Sequence, residues 1–443
     1  MLSTVQLLKS DPTPLYIQLA HQLSQLIQNN SLPMGSKLPS IRALSKELAI
    51  NRDTVVSAYA LLEKQGLTKS YIGKGTYVAH LQTSLVSPPS KRETPFYCSH
   101  LQFPKDTFPS TLCESITTSL VKKEGWDVFA DPFHREQNNL RQSIANFFST
   151  LSIEVTAAQV RFIHSLEAFF TELLNYHPKP GICVEAYRDL QLSSCLHTLG
   201  VKLHEIPFTP QGLDLYALEK CLKTGTISYI LVSPCLQNPT GLSYSEKVKE
   251  RLVELANLYD CYIIEEGTYS DFIYTQAIPP SLFGHFSKER VIYLYQFSKV
   301  YLPALSVCFV ALPQNLVRPL AAKSLCSFNE HFLHTYMDSP EFQSLRQQLL
   351  KENKEKWSFL LQEFSHLSQL FYLSPSQGGL SFWLNPLSLS SQHFTSLLIG
   401  EGIFVAPGNL FSITHTTSFM RLSFSHFTLE ETYELSQILH SLA

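Results

Sequence analysis

The stretch VIYLYQFSK (residues 291–299) runs five apolar residues into Gln296, Phe297, Ser298 and a lysine. An unbroken apolar run of this length, closed by polar residues, reads as a strand buried on both faces, the kind found in parallel sheets covered by helices. Comparable runs are GICVE (181–185), ISYILVS (227–233), CYIIEE (261–266) and VCFVAL (307–312), each followed by polar or turn residues and separated by helical stretches. The alternation from about residue 155 onward predicts an α/β domain with a mostly parallel sheet, helices on both faces, and ligand sites beyond the carboxyl ends of the strands.

Candidate chemistry collects at those ends. ISYILVS leads into PCLQNPTG (234–241), CYII into Glu265, Glu266, Gly267, Thr268 and Tyr269, and VIYLY into Ser298 and Lys299. A pyridoxal phosphate cofactor needs an amine, an acid beside its ring nitrogen and a donor to its phenolic oxygen. Lys299, Glu266 and Asn238 suit those roles in that order. A Ser-Lys pair alone is equally compatible with a lysine snorkelling at the surface.

With 443 residues, 44% of them hydrophobic, the chain has room for two or three domains and a sizeable core. Its nine cysteines are scattered singly, with no C-x-x-C pair and no cysteine–histidine cluster at metal spacing, so neither a disulfide framework nor a metal site is expected. The opening residues MLSTVQLLKSDPTPLY lack a charged segment followed by an apolar one, and no run reaches membrane-spanning length, so a cytoplasmic location without membrane association is expected. Residues 1–80 carry eight Lys/Arg against four Asp/Glu, a net of +4, whereas the whole chain is −3. The split suggests a small anion-facing module joined to a larger acidic body.

In that module, TPLYIQLAHQLSQLIQNN (13–30) places Leu19, Leu23, Leu26 and Ile27 on one helical face. Ser40 is placed to cap a second helix with Ala43, Leu44 and Leu48 inward, and Asn51 a third with Val55, Ala58, Tyr59 and Leu62 inward. The short link between them makes a helix-turn-helix, and LTKSYIGKGTYVA (67–79) alternates like a hairpin with Gly73 and Gly75 at its tip, a wing. Such a module reads DNA through the first turn of its third helix, where Arg52, Asp53 and Thr54 stand, while Arg42 and Lys74 are placed to meet phosphates. A three-helix protein-contact module with a solvated basic face is the other reading of the bare pattern. Residues 81–95, LQTSLVSPPSKRETP, read as a linker.

The ordered series PLYIQLAHQL, LPMGSKLPSIRALSKELAINRDTVVSAYALLEKQGL and GKGTYV resembles the winged-helix domain of GntR regulators from end to end. The resemblance implies binding of double-stranded DNA, with Arg42, Arg52, Thr54 and Gly73 at the family's DNA-contacting positions. Asp53 departs from a phosphate-facing turn and is suited either to select against some bases or to accept from cytosine. From about residue 100, NPTG (238–241), IIEEGTYSDFIY (263–274), VIYLYQFSK (291–299), GGLSFWL (378–384), VAPGNLF (405–411) and MRLSF (420–424) resemble class I/II aminotransferases in order. The two together look like the MocR subfamily of regulators.

That resemblance implies a winged helix-turn-helix domain (1–80), a linker (81–95) and a fold type I pyridoxal phosphate domain (96–443) with a small C-terminal α+β subdomain from about 335. It makes Lys299 the Schiff-base lysine, Asn238 the donor to the phenolic oxygen and Arg421 the grip on a substrate or effector carboxylate. Ser298 is a further cofactor contact. It also implies a head-to-tail homodimer and a small effector, an amino acid or other carboxylate.

Several positions depart from the family. Glu266 stands in place of Asp, and Thr268 in place of a tyrosine, for which Tyr269 is the replacement. Ser306 and Val307 fall where an arginine holds the cofactor phosphate. FIHSLEAF (162–169) replaces a glycine-bearing turn, leaving Ser165 and His164 as phosphate donors. VEAYRDL (184–190) lacks the usual stacking aromatic, for which Tyr187 is the candidate. Three readings stand: a regulator that holds pyridoxal phosphate on Lys299, an aminotransferase with a DNA-binding head, and a regulator whose large domain keeps the fold without the cofactor. The loss of a cation at Ser306 weighs against full transaminase turnover.

Overall fold

A computed structural model describes residues 14–28, 32, 36–48, 50–64, 67–71, 75–78, 95–129, 138–275, 279–287, 289–320, 327–387, 391–412 and 417–442. The chain divides into two units, Met1–Pro89 and Ser90–Ala443.

In the first unit, α1 (Leu15–Gln28) turns Leu19 and Leu23 inward, one helical turn apart. Helix α2 (Ile41–Glu47) starts after Ser40, whose Oγ accepts from Ala43 N at 3.2 Å. Helix α3 (Arg52–Lys64) starts after Asn51, whose Oδ1 accepts from Asp53 N at 3.3 Å. Leu44, Val55, Ala58, Tyr59 and Leu62 complete the core, and Tyr59 OH donates to Pro39 O at 2.8 Å, tying α3 to the start of α2. Leu26 and Leu48 are only partly buried, and the Ile27 side chain lies outside the described residues. Ala43, expected inward, is exposed: α2 has two turns, and Leu44 and Leu48 already fill its inner face. Strands β1 (Thr68–Tyr71) and β2 (Gly75–Val78) pair antiparallel. The tip between them, with Gly73 and Lys74, and the linker at 81–94 lie outside the described residues.

The second unit is built on a seven-stranded sheet. Its strands are β3 (Val160–Ile163), β4 (Gly181–Glu185), β5 (Lys202–Ile206), β8 (Ile227–Val232), β9 (Tyr262–Glu266), β10 (Val291–Tyr295) and β11 (Cys308–Ala311), with a small hairpin of β6 (Phe208–Thr209) and β7 (Gly212–Leu213) between β5 and β8. The order is β3-β11-β10-β9-β8-β4-β5, and every pairing is parallel except the two made by β11. VCFVAL is therefore the reversed strand of an otherwise parallel sheet. In β10 Val291, Tyr293 and Tyr295 enter the larger core while Ile292 and Leu294 enter the core on the other face, which is why the run is apolar without a break.

A second, antiparallel sheet of β12 (Phe371–Leu373), β13 (Ser381–Pro386), β14 (Ala406–Pro407) and β15 (Met420–Ser423) has the order β12-β13-β15-β14. Arg421 stands on β15 opposite Trp383 and Ala406. Residues 96–98 are tied to this region, with Phe96 N on Gly402 O at 2.8 Å and Ser423 N on Cys98 O at 2.7 Å. Among the described residues no helix is long and apolar enough to cross a membrane, no group of three His, Cys, Asp or Glu is placed to hold a metal, and the cysteines are free.

Candidate cofactor and effector site

The carboxyl ends of β4, β8, β9 and β10 converge on one narrow cleft that includes Glu185, Asp189, Asn238, Glu266, Tyr269 and Lys299. The turn after β10 is held from below. Phe297 packs on Phe309 and Phe342, with ring centroids 4.7 and 5.9 Å apart, and Tyr301 packs on Phe342 at 5.2 Å. Ser298 N donates to Val307 O at 3.0 Å, and Ser298 Oγ accepts from Val307 N at 2.8 Å. These contacts account for the apolar neighbours of Lys299. They also place the Ser298 hydroxyl on the turn backbone, not on the cleft where a cofactor contact was expected.

The Lys299 side chain is 19% exposed, and its Nζ lies 2.6 Å from Asp189 Oδ2. Burial disfavours the ammonium form, but the carboxylate of Asp189, with Glu266 beyond it, outweighs burial and holds Lys299 above the ordinary lysine range. Glu266, at the end of β9, accepts from Ser233 Oγ at 3.0 Å, from Gln296 Nε2 at 3.1 Å and from Thr268 Oγ1. Thr268 thus positions Glu266, and the cleft-lining residue is Tyr269. The Tyr269 hydroxyl is buried with no hydrogen-bond partner, and burial pushes it up to about 12. Directly after Glu266, Gly267 allows a close approach, since a Cβ there would lie 2.5 Å from Tyr293 Cζ.

Asn238 precedes a cis peptide bond to Pro239. Its Nδ2 donates to Asp189 Oδ2 at 3.4 Å, and its Oδ1 accepts from Arg421 Nη1 at 2.8 Å. Arg421 also donates to Ser99 O at 2.7 Å and lies 4.8 Å over the Phe411 ring, while its Nε has no partner. No ion pair joins it to a carboxylate among the described residues, and burial lowers its pKa.

Besides Gln296 and the apolar Leu192 and Leu231, four cleft residues escaped the sequence reading. Glu185 accepts from Ser233 N at 2.9 Å, from Gln237 Nε2 at 3.0 Å and from Tyr244 OH. Burial raises it to about 7, with Glu266 adding to the effect. Arg188 pairs with Glu205 at 3.0 Å, Ser233 joins β8 to Glu266, and Asp189 meets Lys299. The available signal was one carboxylate, Glu185, directly after the fully apolar GICV of β4; nothing comparable marked the other three.

Other expected residues stand elsewhere. Tyr187 packs against Trp383 at 6.0 Å and does not line the cleft. Ser165 is exposed and caps the helix Leu166–Tyr176, its Oγ accepting from Ala168 N at 3.1 Å. Ser306 is exposed in a left-handed conformation, φ 49°. In the head, Arg42 and Arg52 are exposed at the first turns of α2 and α3, and Thr54 is half-buried.

The donor set matches pyridoxal phosphate in its chemistry, and the fit differs between the two ends of that molecule. Lys299, Glu266 and Asn238 suit the amine, ring nitrogen and phenolic oxygen, and the buried, unpartnered Tyr269 hydroxyl supplies a second donor. For the phosphate, Ser306 and Ser165 offer hydroxyls and no cation.

Residues 15–78 match the model of bacterial regulatory proteins of the gntR family, and residues 133–439 match that of aminotransferase class I and II. The uncharacterized HTH-type transcriptional regulator YdfD of Bacillus subtilis is 24% identical over 98% of both chains. The probable rhizopine catabolism regulatory protein MocR of Rhizobium meliloti is 23% identical over 68% of this chain and 66% of its own. Among solved structures, the multiple substrate aminotransferase of Thermococcus profundus superposes with a TM-score of 0.67 at 20% identity, covering 79% of this chain and 91% of its own. The α-aminoadipate aminotransferase LysN of Thermus thermophilus, solved with N-(5'-phosphopyridoxyl)-L-leucine, gives 0.66 at 20% identity over 79% and 92%.

Proposed function

Because the chain belongs to the aminotransferase class I and II family and carries a gntR-type regulatory domain before it, we propose that it is a transcription regulator of MocR type. It binds double-stranded DNA through α2, α3 and the wing, holds pyridoxal phosphate at Lys299, and senses the cofactor or a carboxylate-bearing amino compound. The observation that carries the reading is the convergence of Lys299, Asn238, Glu266 and the unpartnered Tyr269 hydroxyl on one cleft, with Arg421 a single hydrogen bond beyond it.

When bound, the cofactor supplies an aldehyde carbon and an electron-poor ring. The chain's own residues do the rest. Lys299 would provide the amine that holds the cofactor. Glu266, fixed by Ser233, Thr268 and Gln296, would keep a proton on the ring nitrogen, while Asn238 and Tyr269 would donate to the phenolic oxygen. The planar fork of Arg421 suits an incoming carboxylate. An effector shifts the DNA-binding state only by its differential affinity for two arrangements of the protein. The reading includes a homodimer, whose two heads bind paired half-sites with avidity.

The test is the visible spectrum of purified protein with pyridoxal phosphate, beside Lys299→Ala. A band that borohydride removes and the variant lacks supports the cofactor at Lys299. No band at saturating cofactor overturns that part and favours a regulator whose large domain keeps its fold without the cofactor. Ser306, without a cation for the phosphate, is the observation behind that second reading.

A further inference from the structure

We propose that Asp189 is the gatekeeper of Lys299: a carboxylate of the chain itself that holds the lysine and must be displaced before a carbonyl ligand reaches it. The proposal rests on the reading of Lys299 as the amine that takes the cofactor.

Asp189 Oδ2 lies 2.6 Å from Lys299 Nζ and 3.4 Å from Asn238 Nδ2. Those two nitrogens are the ones assigned to the cofactor's reactive carbon and its phenolic oxygen. A single anionic oxygen bridging a cationic amine and an amide donor is the arrangement a cofactor phenolate would make, so Asp189 and the cofactor compete for the same two partners. Space gives the same answer. The cavity left around these groups is about 20 Å³, room for one water and not for a ring.

Charge gives the lock its effect. An ammonium ion has no lone pair with which to attack a carbonyl, and a carboxylate at hydrogen-bond distance favours the ammonium form. Glu266 faces the same amine and acts in the same direction, and the neutral Tyr269 hydroxyl faces it too, but neither is hydrogen-bonded to it among the described residues. The neighbouring Arg188 is fixed by Glu185 O at 2.6 Å and Glu205 Oε1 at 3.0 Å, with its N on Phe411 O at 2.8 Å. Opening is therefore a movement of the Asp189 side chain against an anchored backbone. The Asp189 side chain is 27% exposed, so it has solvent to move into.

The experiment is reductive methylation with formaldehyde and cyanoborohydride, read at Lys299 by peptide mass spectrometry, on the wild-type protein, Asp189→Asn and Asp189→Ala. Removing one charge-assisted hydrogen bond should speed labelling of Lys299 about tenfold in both variants. Lys249, buried with its Nζ on Pro280 O at 2.7 Å, stays protected throughout if the fold is intact. Equal labelling of Lys299 in all three proteins overturns the proposal. A parallel titration with pyridoxal phosphate separates it from the functional reading. Faster labelling with tighter cofactor uptake in the variants supports both. Faster labelling with no uptake in any protein sustains the gate and overturns the cofactor assignment.

Discussion

Arg421 on β15 donates to Asn238 Oδ1 at 2.8 Å across 183 residues of chain, so the antiparallel sheet reaches into the cleft of the parallel one. The guanidinium is buried among neutral partners, Asn238, the Ser99 carbonyl and the Phe411 ring. Asp189 acts on it only from beyond Asn238, so the buried cation has no carboxylate in direct contact among the described residues and favours one that arrives.

A carboxylate ligand should therefore bind through Arg421. Amino acids paired with their decarboxylated amines, titrated calorimetrically, should show a preference for the acid of about tenfold to a hundredfold. Arg421→Ala should abolish that preference, and Arg421→Lys should not restore it, because the bidentate fork is lost. An undiminished preference in Arg421→Ala would remove Arg421 from the effector site.

Glu185 predicts a pH dependence of stability. Its folded value of about 7 lies above the ordinary 4.5, so between those values the folded protein holds a proton that the unfolded chain has released. The contribution is fully present below the ordinary carboxylate range and is lost as pH rises to about 7. Denaturant melts should show about 1–3 kcal/mol of this stability disappearing between pH 5 and pH 7.5. Glu185→Gln should flatten the slope. A slope unchanged in the variant would assign it to other groups.

How far the site was legible follows from where its residues stand. Lys299, Asn238, Glu266 and Arg421 lie in stretches that keep the family's order, and strand ends are where a parallel sheet presents its ligands. Thr268 and Tyr269 were legible as alternatives, and the hydrogen bond from Thr268 to Glu266 separates their tasks. Asp189 was not legible. It lies in VEAYRDL, where the expected aromatic is missing, and sequence spacing cannot show that a side chain 110 residues before Lys299 folds back onto it. The reversal of β11 was equally hidden, since an apolar run carries no direction. Ala43 was misplaced because a seven-residue helix has too few turns for periodicity to choose its inner face.

Gly267 links the strand to the site by close approach. A side chain there would collide with the Tyr293 hydroxyl and lie 2.5 Å from the ring carbon that bears it. Gly267→Ala should cost about 1–3 kcal/mol, the usual range for overpacking a filled core, measured by urea denaturation. Tyr293→Phe should not rescue it, because the ring carbon stays in place, whereas Tyr293→Leu should recover part of the loss. Full stability in Gly267→Ala would mean that Tyr293 has room to move.

In the head, Arg42 and Arg52 are both exposed at helix starts, yet they should behave differently. Arg42 on α2 is placed for phosphate, which supplies affinity without sequence preference, and each such contact adds a salt slope of about −0.9. Arg42→Ala should weaken binding to specific and generic duplexes alike and make the slope shallower by about one, measured by fluorescence anisotropy over a range of salt. Arg52 opens α3, the helix whose first turn reads bases. Arg52→Ala should weaken the operator duplex more than the generic one, by about 1–3 kcal/mol for a lost bidentate contact. Equal losses on both duplexes would move Arg52 to the backbone, and an unchanged slope in Arg42→Ala would take Arg42 off the phosphates.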